Sequence, residues 1–190
     1  MRCFIAIGIS DEIKGKIRIL IDKMRHLSKG VRWVPIENIH LTLKFLGEVN
    51  EGLIPDIKNR LILLKNKYNP FKIDIKGTGA FPNPKHPNVL WIGVEPSEQL
   101  KRLYLDIEEA MYECGFEKED REFSPHLTIG RIKDRKGIDL VIKELYTIKD
   151  IFFGSIDIRE FLLMRSILKP TGAEYSEIAR FKLEKNKEDQ

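Results

Sequence analysis

His40-Leu41-Thr42-Leu43 and His126-Leu127-Thr128-Ile129 are two copies of one pattern, His-x-Thr followed by an aliphatic residue. Both stand in aliphatic, β-prone surroundings without a breaker, which predicts a strand for each. Side chains on a strand alternate between faces. His40 and Thr42 then share one face, with Leu41, Leu43 and Phe45 on the other. The second copy sets His126 beside Thr128, with Leu127 and Ile129 opposite. Four histidines and five threonines in 190 residues produce two such pairs by chance with a probability on the order of half a per cent. One copy alone reads as a half-buried strand histidine. Two copies in matching contexts read as a constellation.

The pattern around each copy repeats as well. Residues 2–9 read as a buried strand, and Ser10 caps a helix with Asp11 and Glu12 in its first turn. Its apolar stripe is Ile13, Ile17, Leu20, Met24 and Leu27, and Gly30 ends it. Arg32-Trp33-Val34 is a short strand before the first His strand, which closes at Gly47. Later, Val89 to Val94 form a strand and Ser97 caps a helix striped by Leu100, Leu103, Ile107, Met111 and Cys114. Gly115 ends that helix, and the second His strand follows. Ile7-Gly8-Ile9 and Ile92-Gly93-Val94 are offset by about 85 positions and the two histidines by about 86, which one internal duplication explains. Two similar lobes about a pseudo-twofold axis would bring the His strands face to face.

The remaining segments fit between these. A helix is expected over 52–67 with Pro55 in its first turn, and an alternating strand over 71–75. A three-proline loop spans 81–87. A helix near 138–146 precedes strands near 151–158, 160–168 and 175–183, with a turn at Pro170-Thr171-Gly172 and a charged, fraying tail from 184 to 190. Hairpins and helices in mixed order predict an α+β fold with mainly antiparallel sheets and helices outside them. No linker separates independent units, so 1–190 is expected to be a single domain of two intertwined lobes.

Net charge +4 and a pI near 8.9 suit an anionic partner. The basic residues are scattered, with no stripe for a long duplex. Cys3 and Cys114 form no metal or disulfide pattern and read as reduced thiols. No window is long and apolar enough to span a membrane, and no secretory cleavage pattern follows the N-terminus. The expectation is a cytoplasmic monomer that needs no cofactor. Metal chemistry would need a compact His/Cys ligand spacing that the sequence lacks.

Two imidazoles across a cleft suit paired proton transfer, one accepting from a nucleophile and one donating to a leaving oxygen. Thr42 and Thr128 can hydrogen-bond the two non-bridging oxygens of a phosphodiester held between them. Lys44 shares a face with His40 and Thr42 by alternation, and ranks above Arg32 as a phosphate contact. Arg131 falls on the face opposite His126 by strict alternation; a bulge at Gly130 would re-aim it. Phe81 can stack on a base. His26 is expected to have no catalytic role, His86 to be a solvent-exposed residue of the proline loop rather than a substrate contact, and Trp33 and Trp91 to be core.

The chain resembles the 2H phosphoesterases, and among them the LigT-like RNA 2′,3′-cyclic phosphodiesterases, also called 2′–5′ RNA ligases. The resemblance runs from Phe4-Ile5-Ala6-Ile7 through Trp33-Val34-Pro35 and Asn38 to Gly47. It continues with Gly79-Ala80-Phe81-Pro82, Val89 to Val94 and Pro125 to Arg131, and ends with Ser166 to Leu168, Gly172 and Tyr175. It departs at Asn88, where many members carry arginine, and at Ile36, where a second proline is common. The resemblance implies a bilobal, pseudo-twofold fold with the site in the groove between lobes. It implies metal-independent opening of RNA 2′,3′-cyclic phosphate ends to 2′-phosphomonoesters, and 2′–5′ ligation when a 5′-hydroxyl replaces water. It also makes His40 the proton donor and His126 the acceptor, a choice that the near-equivalent motifs themselves leave open. Its substrates would be RNA ends or small cyclic nucleotides. A non-catalytic RNA- or nucleotide-binding module, and an esterase of another small cyclic phosphate, are the alternatives.

Overall fold

The computed structural model describes residues 1–170 and 172–184. Thr171 of the expected final turn, and the expected fraying tail from 185 on, lie outside the described residues. In chain order the elements are β1 (Arg2–Gly8), α1 (Asp11–Met24), β2 (Val31–Trp33), β3 (His40–Glu48), α2 (Ile54–Lys65), β4 (Phe71–Phe81) and β5 (Val89–Val94). There follow α3 (Glu98–Glu113), β6 (His126–Ile132), α4 (Ile138–Thr147), β7 (Phe152–Ile158), β8 (Glu160–Lys169) and β9 (Gly172–Lys182). Ser10 and Ser97 cap α1 and α3 as expected, each accepting a hydrogen bond from the amide three residues on. The expected 52–67 helix is a 3₁₀ turn, Glu51–Leu53, running into α2 with Pro55 in its first turn. Strand β4 runs six residues past the expected alternating segment, through Gly77 and Gly79.

The strand order is β7-β4-β5-β6-β3-β1-β8-β9, with β2 added on β6. Every pairing among the described residues is antiparallel. Divided between β6 and β3, the sheet has two halves, β6-β5-β4-β7 and β3-β1-β8-β9. They join edge to edge through one residue pair, Leu41 with Leu127. One face of this sheet carries the core, where Ile5, Leu41, Ile92, Leu127 and Phe161 are fully buried. The helices cross between halves. α3, which follows β5, packs on β3, and α1, which follows β1, touches β7. Among the described residues, no helix is long and apolar enough to cross a membrane.

Candidate active site

Two residues before each histidine the chain turns into its strand. Asn38 ends a 3₁₀ turn before β3, and Ser124-Pro125 leads into β6. In both places the carbonyl two residues back receives the imidazole: His40 Nδ1 lies 2.7 Å from the Asn38 oxygen and His126 Nδ1 lies 2.7 Å from the Ser124 oxygen. A carbonyl only accepts, so each Nδ1 carries the proton and each Nε2 is left as the exchanging nitrogen. Asn38 is itself held, its Nδ2 donating to the Ala173 carbonyl at 2.8 Å.

The Leu41–Leu127 pair sets the geometry of the rest. One step either side in an antiparallel ladder, His40 stands across from Thr128 and Thr42 across from His126. All four point away from the core that holds Leu41 and Leu127, and all four are half-buried. In an ideal ladder the two histidines are then diagonal neighbours, about 7–8 Å apart. Neither Nε2 nor either threonine hydroxyl has a hydrogen-bond partner among the described residues. The arrangement offers two proton-exchanging nitrogens on one diagonal and two hydroxyl donors on the other, which brackets a tetrahedral anion.

The surroundings of the two histidines differ. The Phe4 ring stacks on His40 at 4.8 Å and Tyr175 meets it edge-on at 5.4 Å. Burial lowers the proton affinity of His40, against the Asn38 carbonyl, which raises it, and with the Lys14 charge adding to the lowering. His126 meets Phe81 edge-on at 4.9 Å. Beside it opens a pocket of about 370 Å³ lined by Phe81, Trp91, Pro96, Phe123 and Ser124.

Both strands carry a bulge just past the threonine. Opposite β3, Ala6 pairs with Thr42 but Ile5 pairs with Lys44, so Leu43 is the extra residue. Opposite β6, Trp91 pairs with Thr128 but Leu90 pairs with Gly130, so Ile129 is extra. The bulges reverse the alternation beyond them. Arg131 thereby joins the face of His126 and Thr128, the re-aiming that Gly130 was expected to permit. On β3 the same device overturns the expectation for Lys44. The side chain turns into the core, 6% exposed, where Nζ bonds Glu108 Oε2 at 2.7 Å and the Glu117 carbonyl at 2.9 Å. Lys44 therefore does not line the groove, and the exposed Phe45 takes the position expected for it.

Trp91 departs from its expected core position too. It stands on the site face between Thr128 and Gly79, its ring tilted against Phe81 at 5.2 Å. Phe4, Trp91 and Tyr175 are site neighbours that motif spacing alone did not single out; their signal is a cross-strand register that only pairing supplies. Among the described residues no group of three or more His, Cys, Asp or Glu is placed to hold a metal ion.

Known proteins match this chain over most of its length. The LigT like Phosphoesterase family pattern matches twice, over residues 7–91 and 92–175, in line with the duplicated order of elements. An RNA 2′,3′-cyclic phosphodiesterase of Archaeoglobus fulgidus is 39% identical over 181 residues, covering 95% of this chain and 99% of the relative. One of Thermotoga maritima is 37% identical over 177 residues, covering 92% and 91%. Among solved structures, a Thermus thermophilus protein superposes with TM-score 0.82 at 30% identity, over 96% of this chain and 98% of that one. E. coli LigT complexed with 3′-AMP superposes with TM-score 0.74 at 26% identity, over 97% and 98%. With the family pattern spanning nearly the whole chain, and both His-x-Thr strands inside it, the chain belongs to the LigT-like phosphoesterases of the 2H group.

Proposed function

We propose that this protein hydrolyses RNA 2′,3′-cyclic phosphate ends to 2′-phosphomonoesters, using His40 and His126 as its acid and base. The observation that carries the reading is the matched pair of Nδ1–carbonyl contacts, each 2.7 Å, on two strands paired at Leu41 and Leu127. His126 Nε2 takes a proton from water as its oxygen bonds to phosphorus. The bond from phosphorus to the 3′ oxygen breaks, and His40 Nε2 gives that oxygen a proton. Thr42 and Thr128 donate to the non-bridging oxygens, and Arg131 on the same face offsets the growing charge. Phe81, edge-on to His126, stacks on a nucleobase. A 5′-hydroxyl in place of water yields a 2′–5′ linkage by the same path. No cofactor takes part. The protein acts as a monomer on RNA ends or small cyclic nucleotides in the cytoplasm, where the free thiols Cys3 and Cys114 stay reduced.

The test is turnover of an oligoribonucleotide ending in a 2′,3′-cyclic phosphate, with EDTA present and the product identified by mass and phosphatase sensitivity. His40→Ala and His126→Ala should each lower turnover by about 10²–10⁴-fold. A well-folded protein that binds the oligonucleotide and turns nothing over would make it a binding module.

One observation favours exchanged roles. Burial and Lys14 hold His40 toward its neutral form in the ligand-free protein, which suits an acceptor. In the first assignment the phosphate's own negative charge restores that proton. A substrate with sulfur in place of the leaving 3′ oxygen separates the two, because a thiolate leaves without a proton. It should rescue His40→Ala and not His126→Ala; the reverse pattern exchanges the roles.

A further inference from the structure

Arg32 on β2 is the direct cross-strand partner of Arg131 on β6. Both are exposed. The register with β5 fixes their face: Trp91 pairs with Thr128 and Val89 with Arg131, while Leu90 between them is fully buried. Arg131 and its partner Arg32 therefore project on the side that carries His126 and Thr128. Like charges directly opposite each other in a ladder are destabilising, and neither arginine has an ion-pair or hydrogen-bond partner among the described residues.

More cations gather at the same corner. The Lys133 amide bonds the Gly30 carbonyl at 2.7 Å, which ties the end of β6 to the turn before β2. The Arg135 guanidinium lies 3.4 Å from His86 Nδ1 in the proline loop, next to Lys85. Lys85, Lys133 and Arg135 also have no carboxylate within ion-pair distance among the described residues. The nearest carboxylate in the chain here, Asp134, accepts the Lys136 amide at 3.1 Å. Arg32 and Arg131 stand on the site face, and Lys85, Lys133 and Arg135, none in an ion pair among the described residues, lie beyond the same end of β6 with Asp134 among them.

The direction of these cations follows from the ladder. His40 stands across from Thr128, and Arg131 lies beyond Thr128, about 7–10 Å along the strand. The cations thus begin at the His40 end of the site and lead away from His126. The proposed reaction sets the 3′ oxygen at His40, and the ribose that carries this oxygen also carries the body of the RNA.

The geometry points to a single-stranded RNA track: Arg32, continued by Lys133, Arg135 and Lys85, binds the internucleotide phosphates 5′ of the cyclic end, next to the Arg131 that faces the reacting phosphate, so that this protein selects oligoribonucleotides over mononucleotides. The inference rests on the reading of the site given above. It adds a subsite that a nucleoside cyclic phosphate, with no second phosphate, leaves empty.

The experiment compares adenosine 2′,3′-cyclic monophosphate with a short oligoadenylate ending in the same group, at low and at moderate salt. The oligonucleotide should have a KM lower by roughly tenfold at low salt, with the gap closing as salt rises. Arg32→Gln should narrow the gap by about three- to fivefold. In parallel, anisotropy of a 5′-labelled oligoadenylate should show log affinity falling with log salt, and the slope should shrink by about 0.7 in Arg32→Gln. Turnover of both substrates with equal KM and equal salt response would overturn the track and leave the phosphodiesterase reading standing. Turnover of neither would remove that reading, and the anisotropy slopes would then decide the track alone: salt-insensitive binding, or equal slopes in wild type and variant, sinks it.

Discussion

His40 is packed between the face of Phe4 and the edge of Tyr175, and burial lowers its proton affinity below the ordinary histidine value. The native state then prefers neutral His40, while the unfolded chain takes up the proton near pH 6.5. Between the folded and unfolded values the unfolded state binds more protons. This contribution is therefore fully present above about pH 6.5 and is lost as pH falls toward the folded value. Urea midpoints measured at about pH 7.5 and about pH 5 should show wild type losing more stability on acidification than His40→Asn; equal losses would contradict the account. Lys44 makes a second prediction at this scale. It and Glu108 are both more than nine-tenths buried, and Glu108 also accepts the Glu119 amide at 3.0 Å. Lys44→Met leaves a buried carboxylate without its partner and should cost about 3–5 kcal/mol in urea unfolding. Adding Glu108→Leu should recover most of that loss, because both desolvated charges are then gone.

At the scale of the element, the two bulges decide which side chains reach the site. Each falls directly after a His-x-Thr and reverses the alternation, which sends Arg131 out and Lys44 in. Strand β4 contributes a different constraint. A Cβ on Gly79 would lie 2.3 Å from Trp91 Cζ2, and one on Gly93 would lie 2.5 Å from the Lys76 carbonyl oxygen. The indole is thus seated directly over the Gly79 backbone. Gly79→Ala should displace it, with a cost of about 1–3 kcal/mol and a shift in tryptophan emission. Gly8→Ala is the control for stability, since a Cβ there meets nothing within 4 Å. Emission and midpoint unchanged in Gly79→Ala would mean that the seat is looser than the contact implies.

Over the whole molecule, the halves of the sheet share one residue pair, and the helices supply what that seam lacks. Lys44 on β3 reaches Glu108 on α3 and the carbonyl of Glu117, in the segment that delivers His126. Since α3 belongs in sequence to the second half and packs on the first, neither half has a complete core alone. Urea unfolding should accordingly follow one transition, with far-ultraviolet circular dichroism and tryptophan emission coinciding. Two separated transitions would show that the lobes fold independently.

Much of this was written locally. The serine caps, the apolar stripes of α1 and α3, the duplicated order of elements and the two His-x-Thr pairs depend on residues a few positions apart. The physics that reads them, capping and periodicity, is equally short-ranged. The sequence by itself therefore determined the α+β class, the repeat and the four residues that the pairing of β3 with β6 brings together. The tertiary structure alone decided what depends on register between distant strands. A bulge of one residue moves every later side chain to the other face. Its position is set by partners roughly 35 to 40 positions away in sequence, Ala6 and Ile5 for β3, Trp91 and Leu90 for β6. That is why Lys44 read as a groove residue and is an internal ion pair. It is also why the facing arginines, Arg32 and Arg131, became visible only once β2 was laid against β6.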